Sequence, residues 1–103
     1  MDENNKRMLP HECSDITEVR NEIDSIDRKI VSLLSTRFGY VREVVKYKEN
    51  TDIGIEASER RAEVITSRRQ WAEESGLNPD VIENIYNTLI DYFIEEEKRL
   101  LQQ

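Results

Sequence analysis

The feature that most constrains this sequence is one unbroken pattern of apolar residues between residues 16 and 47. Its successive positions lie three or four residues apart, as on one face of a helix, and no proline falls inside it. Asp15 can cap the start, and Glu18 stands where a capping box needs it. The sequence therefore predicts a helix from about Asp15 to Glu49. Its apolar residues are Ile16, Val19, Ile23, Ile26, Ile30, Leu33, Leu34, Tyr40, Val41, Val44 and Tyr47.

Such a helix is too long for the rest of the chain to cover. About 35 residues at roughly 1.5 Å per residue span on the order of 50 Å, whereas the whole chain has 103 residues. The apolar face must therefore continue against something outside the protomer, most simply a second copy. We expect a homodimer.

Two further helices are predicted after the first. Residues 50–57 interrupt the pattern and contain Gly54, which predicts a loop. Ser58 can begin a second, shorter helix that runs to about Ser75, and Gly76 stands where a left-handed C-cap is expected. The residues of this second helix expected to be buried are Ala62, Ile65 and Trp71.

The third helix is predicted to begin at Asn78 and Pro79, an N-cap followed by a first-turn proline, and to end near Leu101. With three glycines and two prolines, turn signals are too few for a many-stranded sheet. We expect an all-α protomer of three helices, long, short and long, over residues 14–103, with a flexible segment at residues 1–13. The apolar face of the third helix comprises Ile82, Ile85, Tyr86, Leu89, Ile90 and Phe93.

Composition argues against several function classes. The net charge of −7 disfavours nucleic acid as a partner, because phosphate binding needs a basic face. No apolar run approaches the roughly 18 residues of a membrane span, and no apolar stretch resembling a signal peptide begins the chain. Cys13 and His11 are the only residues of their types, which predicts neither a disulfide framework nor a metal site. We expect a cytoplasmic protein without metal or cofactor.

Charged residues fall where the helices should face a core. Arg37 occupies the line of sevens that carries Ile16, Ile23, Ile30 and Val44. A second line of sevens begins at Arg20 and ends at Lys48, and Glu97 follows the stripe formed by Tyr86, Ile90 and Phe93. Each residue alone fits a plainer interpretation: a solvated helix face, a buried arginine paired with one carboxylate, or the first solvated residue of a fraying helix end.

Taken together, these charges favour a ligand site. A buried guanidinium is costly unless an anion neutralises it. Several cations around an otherwise apolar bundle indicate a site for a small polyanion, because arginine side chains match carboxylates in a bidentate manner.

The sequence as a whole resembles the all-helical chorismate mutase family, and most closely its isochorismate pyruvate lyase branch. The resemblance covers nearly the whole chain from Pro10 to Lys98. It is carried by PHECSDITEVRNEIDSIDRKIVSLLSTRFGYVREVVKYK, ASERR, RRQWAEESGLNPDVIENIY and DYFIEEE.

The resemblance implies an intertwined homodimer in which two long first helices cross and form two active sites. It implies that Arg20 reaches into the partner's site and that Arg37 binds a substrate carboxylate. It further implies that Lys48 contacts the ether oxygen and a carboxylate, that Arg60 belongs to the segment covering the site, and that Glu97 hydrogen-bonds the ether oxygen. No metal or cofactor is implied, because a pericyclic reaction needs neither.

Two positions depart from the family pattern. Glu97 stands where the best-known lyase of the branch has glutamine, and some mutases have glutamate. A carboxyl group can donate a hydrogen bond only when protonated, so activity is expected to fall as the pH rises above neutrality. Ala57 and Arg61 match positions where typical mutases hold the ring hydroxyl with acidic residues, so that contact is expected to be absent.

Three functions therefore remain open from the sequence. The first, slightly favoured as the activity that the family shares, is rearrangement of chorismate to prephenate, either alone or together with cleavage of isochorismate. The second is cleavage of isochorismate to salicylate and pyruvate, as in salicylate and siderophore biosynthesis. The third belongs to another class, a non-catalytic dimerisation or regulatory module. A plain coiled coil is disfavoured because Arg37 interrupts the apolar face.

Overall fold

A computed structural model describes residues 8–47 and 53–101 of the chain, with side chains at 8–47 and 58–100. No strand occurs within these ranges, which confirms the predicted all-α protomer of three helices. The first helix is the longest, at 29 residues against 22 and 23. The helices are α1 (Ile16–Val44), α2 (Ile53–Glu74) and α3 (Pro79–Leu101), with short 3-10 turns at Pro10–Glu12 and Val45–Tyr47.

The start of α1 follows the predicted capping chemistry. The backbone N–H of Glu18 donates to Asp15 Oδ1 at 2.9 Å, which satisfies one of the N–H groups that have no partner inside the helix. Glu18 reaches back and accepts from the backbone N–H of Ser14 at 2.7 Å, one residue earlier than a capping box requires. The predicted flexibility of residues 1–13 stays a prediction, although a 3-10 turn occupies Pro10–Glu12.

The end of α1 comes earlier than predicted. The α-helix stops at Val44, and a 3-10 turn carries the chain on to Tyr47. Val44 and Val45 are β-branched and have low helix propensity, and tightening into a 3-10 turn is frequent where a helix ends. The predicted extension to Glu49 lies beyond this described segment.

The predicted loop at residues 50–57 is wrong over its second half, because α2 already begins at Ile53. Gly54 is the second residue of that helix. A glycine disfavours helix most strongly in the interior, where it costs about 1 kcal/mol, and less in a first turn whose N–H groups have no partner inside the helix. Gly54 alone is therefore weak evidence for a loop at this position.

The turn between α2 and α3 matches the prediction. Gly76 adopts φ +79°, and the N–H of Leu77 donates to the carbonyl of Ala72 at 2.8 Å, as in a Schellman C-cap. Asn78 then caps α3, because its Oδ1 accepts from the N–H of Asp80 at 2.8 Å. The left-handed backbone at Gly76 is the reason that a glycine stands there.

The chain divides into two units, Met1–Arg37 and Phe38–Gln103. In the second unit, α2 and α3 pack against each other as a hairpin. Its buried apolar residues are Val64, Ala72 and Phe93, whose exposed fractions are 2% to 6%. Arg69 ties the two helices near their turn by donating to Asp80 at 2.9 Å and to Glu83 at 2.7 Å. This hairpin supplies the buried core found among the described residues.

Burial corrects the sequence prediction for α2. Ala62 and Trp71, expected inside, are exposed, and Ile65 is half-buried. The face that packs against α3 instead carries Val64 and Ala72. Each residue of an α-helix is rotated by about 100° from the one before it, so a prediction that is off by one residue selects a different face. The predicted face of α3 is confirmed at Phe93 and at four half-buried positions but not at Ile85, which is exposed. Those half-buried residues are Ile82, Tyr86, Leu89 and Ile90.

In the first unit, the apolar face of α1 is uncovered. No residue of α1 is buried, and the large side chains at successive spacings of three and four are exposed. A face of this size on one helix is typical of a surface that another protein covers. The exposed residues are Ile16, Val19, Ile23, Ile26, Ile30 and Leu33. Across the described ranges, no helix is both long and apolar enough to cross a membrane.

Candidate active site

The predicted site residues are distributed over both units. Arg20 and Arg37 belong to the first unit, and Arg60 and Glu97 belong to the second. Lys48, the fifth residue, lies outside the described residues. Convergence of these side chains on one ligand therefore stays a prediction, and each is described where it stands.

Arg37 is withdrawn from water although it carries a permanent charge. The side chain is half-buried, and its Nη1 atom is excluded from solvent. A guanidinium is seldom placed this way without hydrogen-bonding or anionic partners, because its desolvation is costly. Arg20, by contrast, is exposed near the start of α1. The two arginines thus differ in environment although both lie on the same helix.

Arg60 lies near the start of α2 and is exposed. Its Nη1 is 3.3 Å from Glu63 Oε1, one turn further along the same helix. Exposed ion pairs of this kind contribute little to stability, so Arg60 can exchange Glu63 for another carboxylate at low cost. The residue is therefore available to an anionic ligand.

Glu97, the acidic residue among the predicted site residues, is buried, at 6% exposure. It follows Phe93 by four residues and so lies on the same face of α3, one turn onward. Phe93 stacks on Phe38 with ring centroids 5.0 Å apart, and Tyr92 contacts both rings. The acid is thus placed at the end of an aromatic cluster, as the stripe in the sequence predicted.

Three consecutive glutamates differ in environment at this point of α3. Glu95 is exposed, Glu96 pairs with Arg99, and Glu97 is buried. The hydrogen bond from Arg99 lowers the pKa of Glu96. A carboxylate held in this way remains ionised. Of the three glutamates, Glu97 is the one withdrawn from bulk water.

A further cation stands at the edge of the aromatic cluster. The guanidinium of Arg42 lies 4.6 Å from the centroid of the Phe38 ring, within range of a cation–π interaction. The sequence analysis did not single out Arg42, because the residue lies off the apolar face of α1. It adds positive charge close to Glu96, whose pKa it also helps to lower.

Arg61 occupies one of the two positions expected to lack a hydroxyl-binding acid. Its Nη2 atom donates to Asp91 Oδ1 on α3, and its side chain is two-thirds withdrawn from solvent. Ala57, the other position, lies within α2, and only its backbone is described. A guanidinium that is already paired thus stands where an acid would accept a hydroxyl hydrogen bond.

Arg68 is a second arginine on the face of α2 that packs against α3, and the sequence analysis missed it. Its guanidinium lies 4.5 Å from the ring centroid of Trp71 and 5.4 Å from that of Tyr86, and its Nη1 donates to Ser67 at 3.0 Å. Arg61, Val64, Arg68 and Ala72 follow one another at spacings of three and four. The helical spacing from Val64 and Ala72 therefore indicates both arginines as residues of the packed face, provided that charged as well as apolar residues are considered.

Metal ligation is not indicated. Within the described residues, no group of three or more His, Cys, Asp or Glu side chains is arranged to hold a metal ion. Desolvation, together with nearby carboxylates such as those of Glu18 and Glu22, raises the pKa of the Cys13 thiol. The thiol is therefore protonated and weakly nucleophilic at neutral pH.

The chain is similar to proteins of one known family. The model of the family described as "Chorismate mutase type II" matches residues 19–98. The isochorismate pyruvate lyase of Pseudomonas aeruginosa is 33% identical over 94 residues, which cover 91% of this chain and 92% of that protein. The chorismate mutase of Methanocaldococcus jannaschii is 26% identical over 85% of this chain and 89% of its own length.

The chain also resembles part of a larger protein. The T-protein of Enterobacter agglomerans is 34% identical over 82% of this chain, but the match covers 23% of the T-protein. The chain thus matches the first two relatives over most of their length and the T-protein over one portion. Since the family match extends over most of the residues and includes Arg20, Arg37, Arg60 and Glu97, this chain belongs to the type II chorismate mutase family.

Proposed function

We propose that this protein is a pericyclic enzyme that acts on a chorismate-type dicarboxylate. The observation that carries the proposal is the burial of Glu97 at the end of the aromatic cluster, in a chain whose family match spans it. An acid in that position can address an ether oxygen in a site from which water is withdrawn. The half-buried guanidinium of Arg37 adds a group suited to a carboxylate.

The chemistry required is mainly orientation and electrostatics. The substrate is a flexible dianion that must adopt a compact conformation before bonds can reorganise in one concerted step. Arg37 and Arg60 hold its carboxylates, and Arg20 of the partner subunit contributes a third cation. Lys48 donates a hydrogen bond to the ether oxygen, on which negative charge accumulates as its bond to carbon breaks, and Glu97 is the second group that we assign to this oxygen.

Cleavage of isochorismate to salicylate and pyruvate is the better supported of the two reactions. The sequence alone favoured rearrangement of chorismate to prephenate. Two observations shift the balance. The chain is 33% identical to a protein named as the lyase over nearly its full length, against 26% to the protein named chorismate mutase, and Arg61 pairs with Asp91. A paired guanidinium at position 61 does not supply the acceptor that typical mutases offer to the ring hydroxyl. Rearrangement of chorismate is the second candidate, supported by the family match itself.

The active form that we propose is a homodimer. The uncovered apolar face of α1 supports it, because a second copy is the simplest surface able to cover six large side chains at heptad spacing. The dimer also brings Arg20 of the partner subunit within reach of a site to which Arg37 contributes. A protomer alone would hold an incomplete set of cations.

The experiment that tests the proposal supplies purified protein with each substrate in turn. Salicylate is followed by its fluorescence and prephenate by its conversion to an absorbing product. We expect salicylate from isochorismate, and a fall in kcat/KM of about 100-fold or more in Arg37→Ala. Arg28→Ala, an exposed residue on the opposite side of α1, serves as the control. Turnover of neither substrate would favour the non-catalytic module.

The role of Glu97 is tested by substitution. We expect Glu97→Ala to lower kcat/KM by about 100-fold or more, because this variant offers no group to the ether oxygen as negative charge accumulates on it. Glu97→Gln keeps a hydrogen-bond donor at this position and is expected to retain most of the wild-type activity. An equal loss of activity in both variants would contradict the assigned role.

A further inference from the structure

The Arg61–Asp91 pair is the cross-helix ion pair nearest the start of α2 within the described residues. Arg61 is the residue next to Arg60, and Asp91 precedes Glu97 by six residues, about 9 Å along α3. At the other end of the hairpin, Arg69 pairs with Asp80 and Glu83. Of the buried core residues, Val64 lies between these two sets of ion pairs along α2.

We propose that Arg61 and Asp91 act as positioning residues that hold the start of α2, and with it Arg60, in register with the part of α3 that carries Glu97. The inference rests on the proposed function and assigns neither residue a contact with substrate. Arg61 is two-thirds withdrawn from solvent, and its guanidinium is directed to Asp91. Its charge is therefore committed to the neighbouring helix rather than to a ligand.

The physical reason lies in how Arg60 is held. Its own side chain is exposed, and its ion pair with Glu63 lies within the same helix, so that pair does not fix the position of α2. Val64, one turn after Arg60 on α2, is buried. A single apolar contact is not directional, so it leaves the start of α2 able to rotate or to move away from α3. A directional contact at Arg61 restricts that movement at the residue adjacent to Arg60.

For Asp91→Asn, a simple electrostatic effect and a positioning role predict opposite changes in substrate binding. Asp91 carries negative charge near a site proposed for a dianion, so Asp91→Asn should strengthen substrate binding if charge were the whole effect. If Asp91 instead acts through Arg61, its loss weakens binding because Arg60 is less well placed. The sign of the change in KM therefore separates the two explanations.

The experiment measures KM and kcat for Asp91→Asn, Arg61→Gln and the double variant, on the substrate that the wild-type protein turns over. We expect KM to rise about three- to fivefold in each single variant, with kcat within about twofold, since exposed ion pairs contribute modestly. The double variant is expected to match the singles, because either change removes the same pair. Asp80→Asn makes the same charge change at the other end of the hairpin and is expected to leave KM within about twofold.

Several results would overturn the inference. They are an unchanged or lowered KM in Asp91→Asn, additive effects in the double variant, or an equal rise in KM in Asp80→Asn. Circular dichroism shows whether each variant keeps its helices, and the charge-swapped protein Arg61→Asp with Asp91→Arg must regain the wild-type KM within about twofold. Wild-type protein that turns over neither substrate contradicts the proposed function, and the inference falls with it. Wild-type turnover with unchanged KM in the variants contradicts the positioning role alone.

Discussion

The α2–α3 hairpin and the part of α1 between Ile16 and Arg37 use apolar side chains in opposite ways. In the hairpin, Val64, Ala72 and Phe93 are buried, and Arg69 ties the two helices together across their turn. In the first unit the apolar side chains are as large and as regularly spaced, but they are exposed. The hairpin buries a core of its own, whereas the apolar face of α1 has to be covered by another surface.

The difference connects stability with function. The buried residues lie on α2 and α3, and Phe38 near the end of α1 stacks on Phe93, while the apolar face of α1 between Ile16 and Leu33 is left uncovered. Arg37 interrupts that face at the fourth position of the heptad-spaced line that begins at Ile16, and it is half-buried. A chain that devoted this helix to dimerisation alone would have no reason to place a guanidinium there.

The largest expected effect comes from a charge placed on the uncovered face. Ile23→Glu should raise the dissociation constant of the dimer by about 100-fold or more, because two carboxylates per dimer would have to leave water. Activity should fall with it, since each site needs both protomers. Sedimentation at several concentrations measures the association. Asp24→Glu, next to it and exposed, is the control. A variant that stayed dimeric would show that this face is not the interface.

An effect of similar size is expected from the core of the hairpin, on the free energy of unfolding rather than on association. Phe93→Ala removes a ring that stacks on Phe38 at 5.0 Å and should lower the free energy of unfolding by about 3 kcal/mol. Thr88→Ala, on the exposed face of the same helix, should change it by less than about 0.5 kcal/mol. Chemical denaturation at fixed protein concentration measures both. Equal effects would mean that the hairpin core contributes less than its burial indicates.

The smallest expected effect is on stability, where substitution by alanine should have opposite signs at two glycines. Gly76→Ala should cost about 1 kcal/mol, because φ is +79° and an alanine there is strained although space for its Cβ exists. Gly39→Ala, inside α1 with open space around it, should stabilise by about 0.5 to 1 kcal/mol. Thermal unfolding of both variants gives the comparison. Destabilisation by Gly39→Ala would indicate that a second surface approaches this glycine closely.

Local chemistry explains how much of the fold was predictable. The caps at Asp15, Gly76 and Asn78 depend on neighbouring residues alone, and all three were predicted. The start of α2 was misplaced because one glycine, Gly54, was given more weight than the helix-forming residues after it. The exposure of Trp71 was missed because it depends on how α2 is rotated against α3, which periodicity fixes only to within a residue or so.

The candidate site shows a similar division. The burial of Glu97 was predictable because it continues an apolar stripe on α3. Arg61 and Arg68 were not expected on the packed face of α2, because only apolar residues had been counted in the search for that face. Contacts between side chains of different helices, such as Arg61 with Asp91, depend on tertiary packing and leave no pattern in the sequence.

The central claim is that two protomers together form each site, and subunit complementation tests it most directly. Arg20→Ala and Arg37→Ala are each expected to be nearly inactive alone. Unfolded together and refolded as a one-to-one mixture, they should recover about a quarter of the wild-type activity, since half of the dimers are mixed and one of the two sites in each is intact. A mixture no more active than its components would contradict a site shared between protomers.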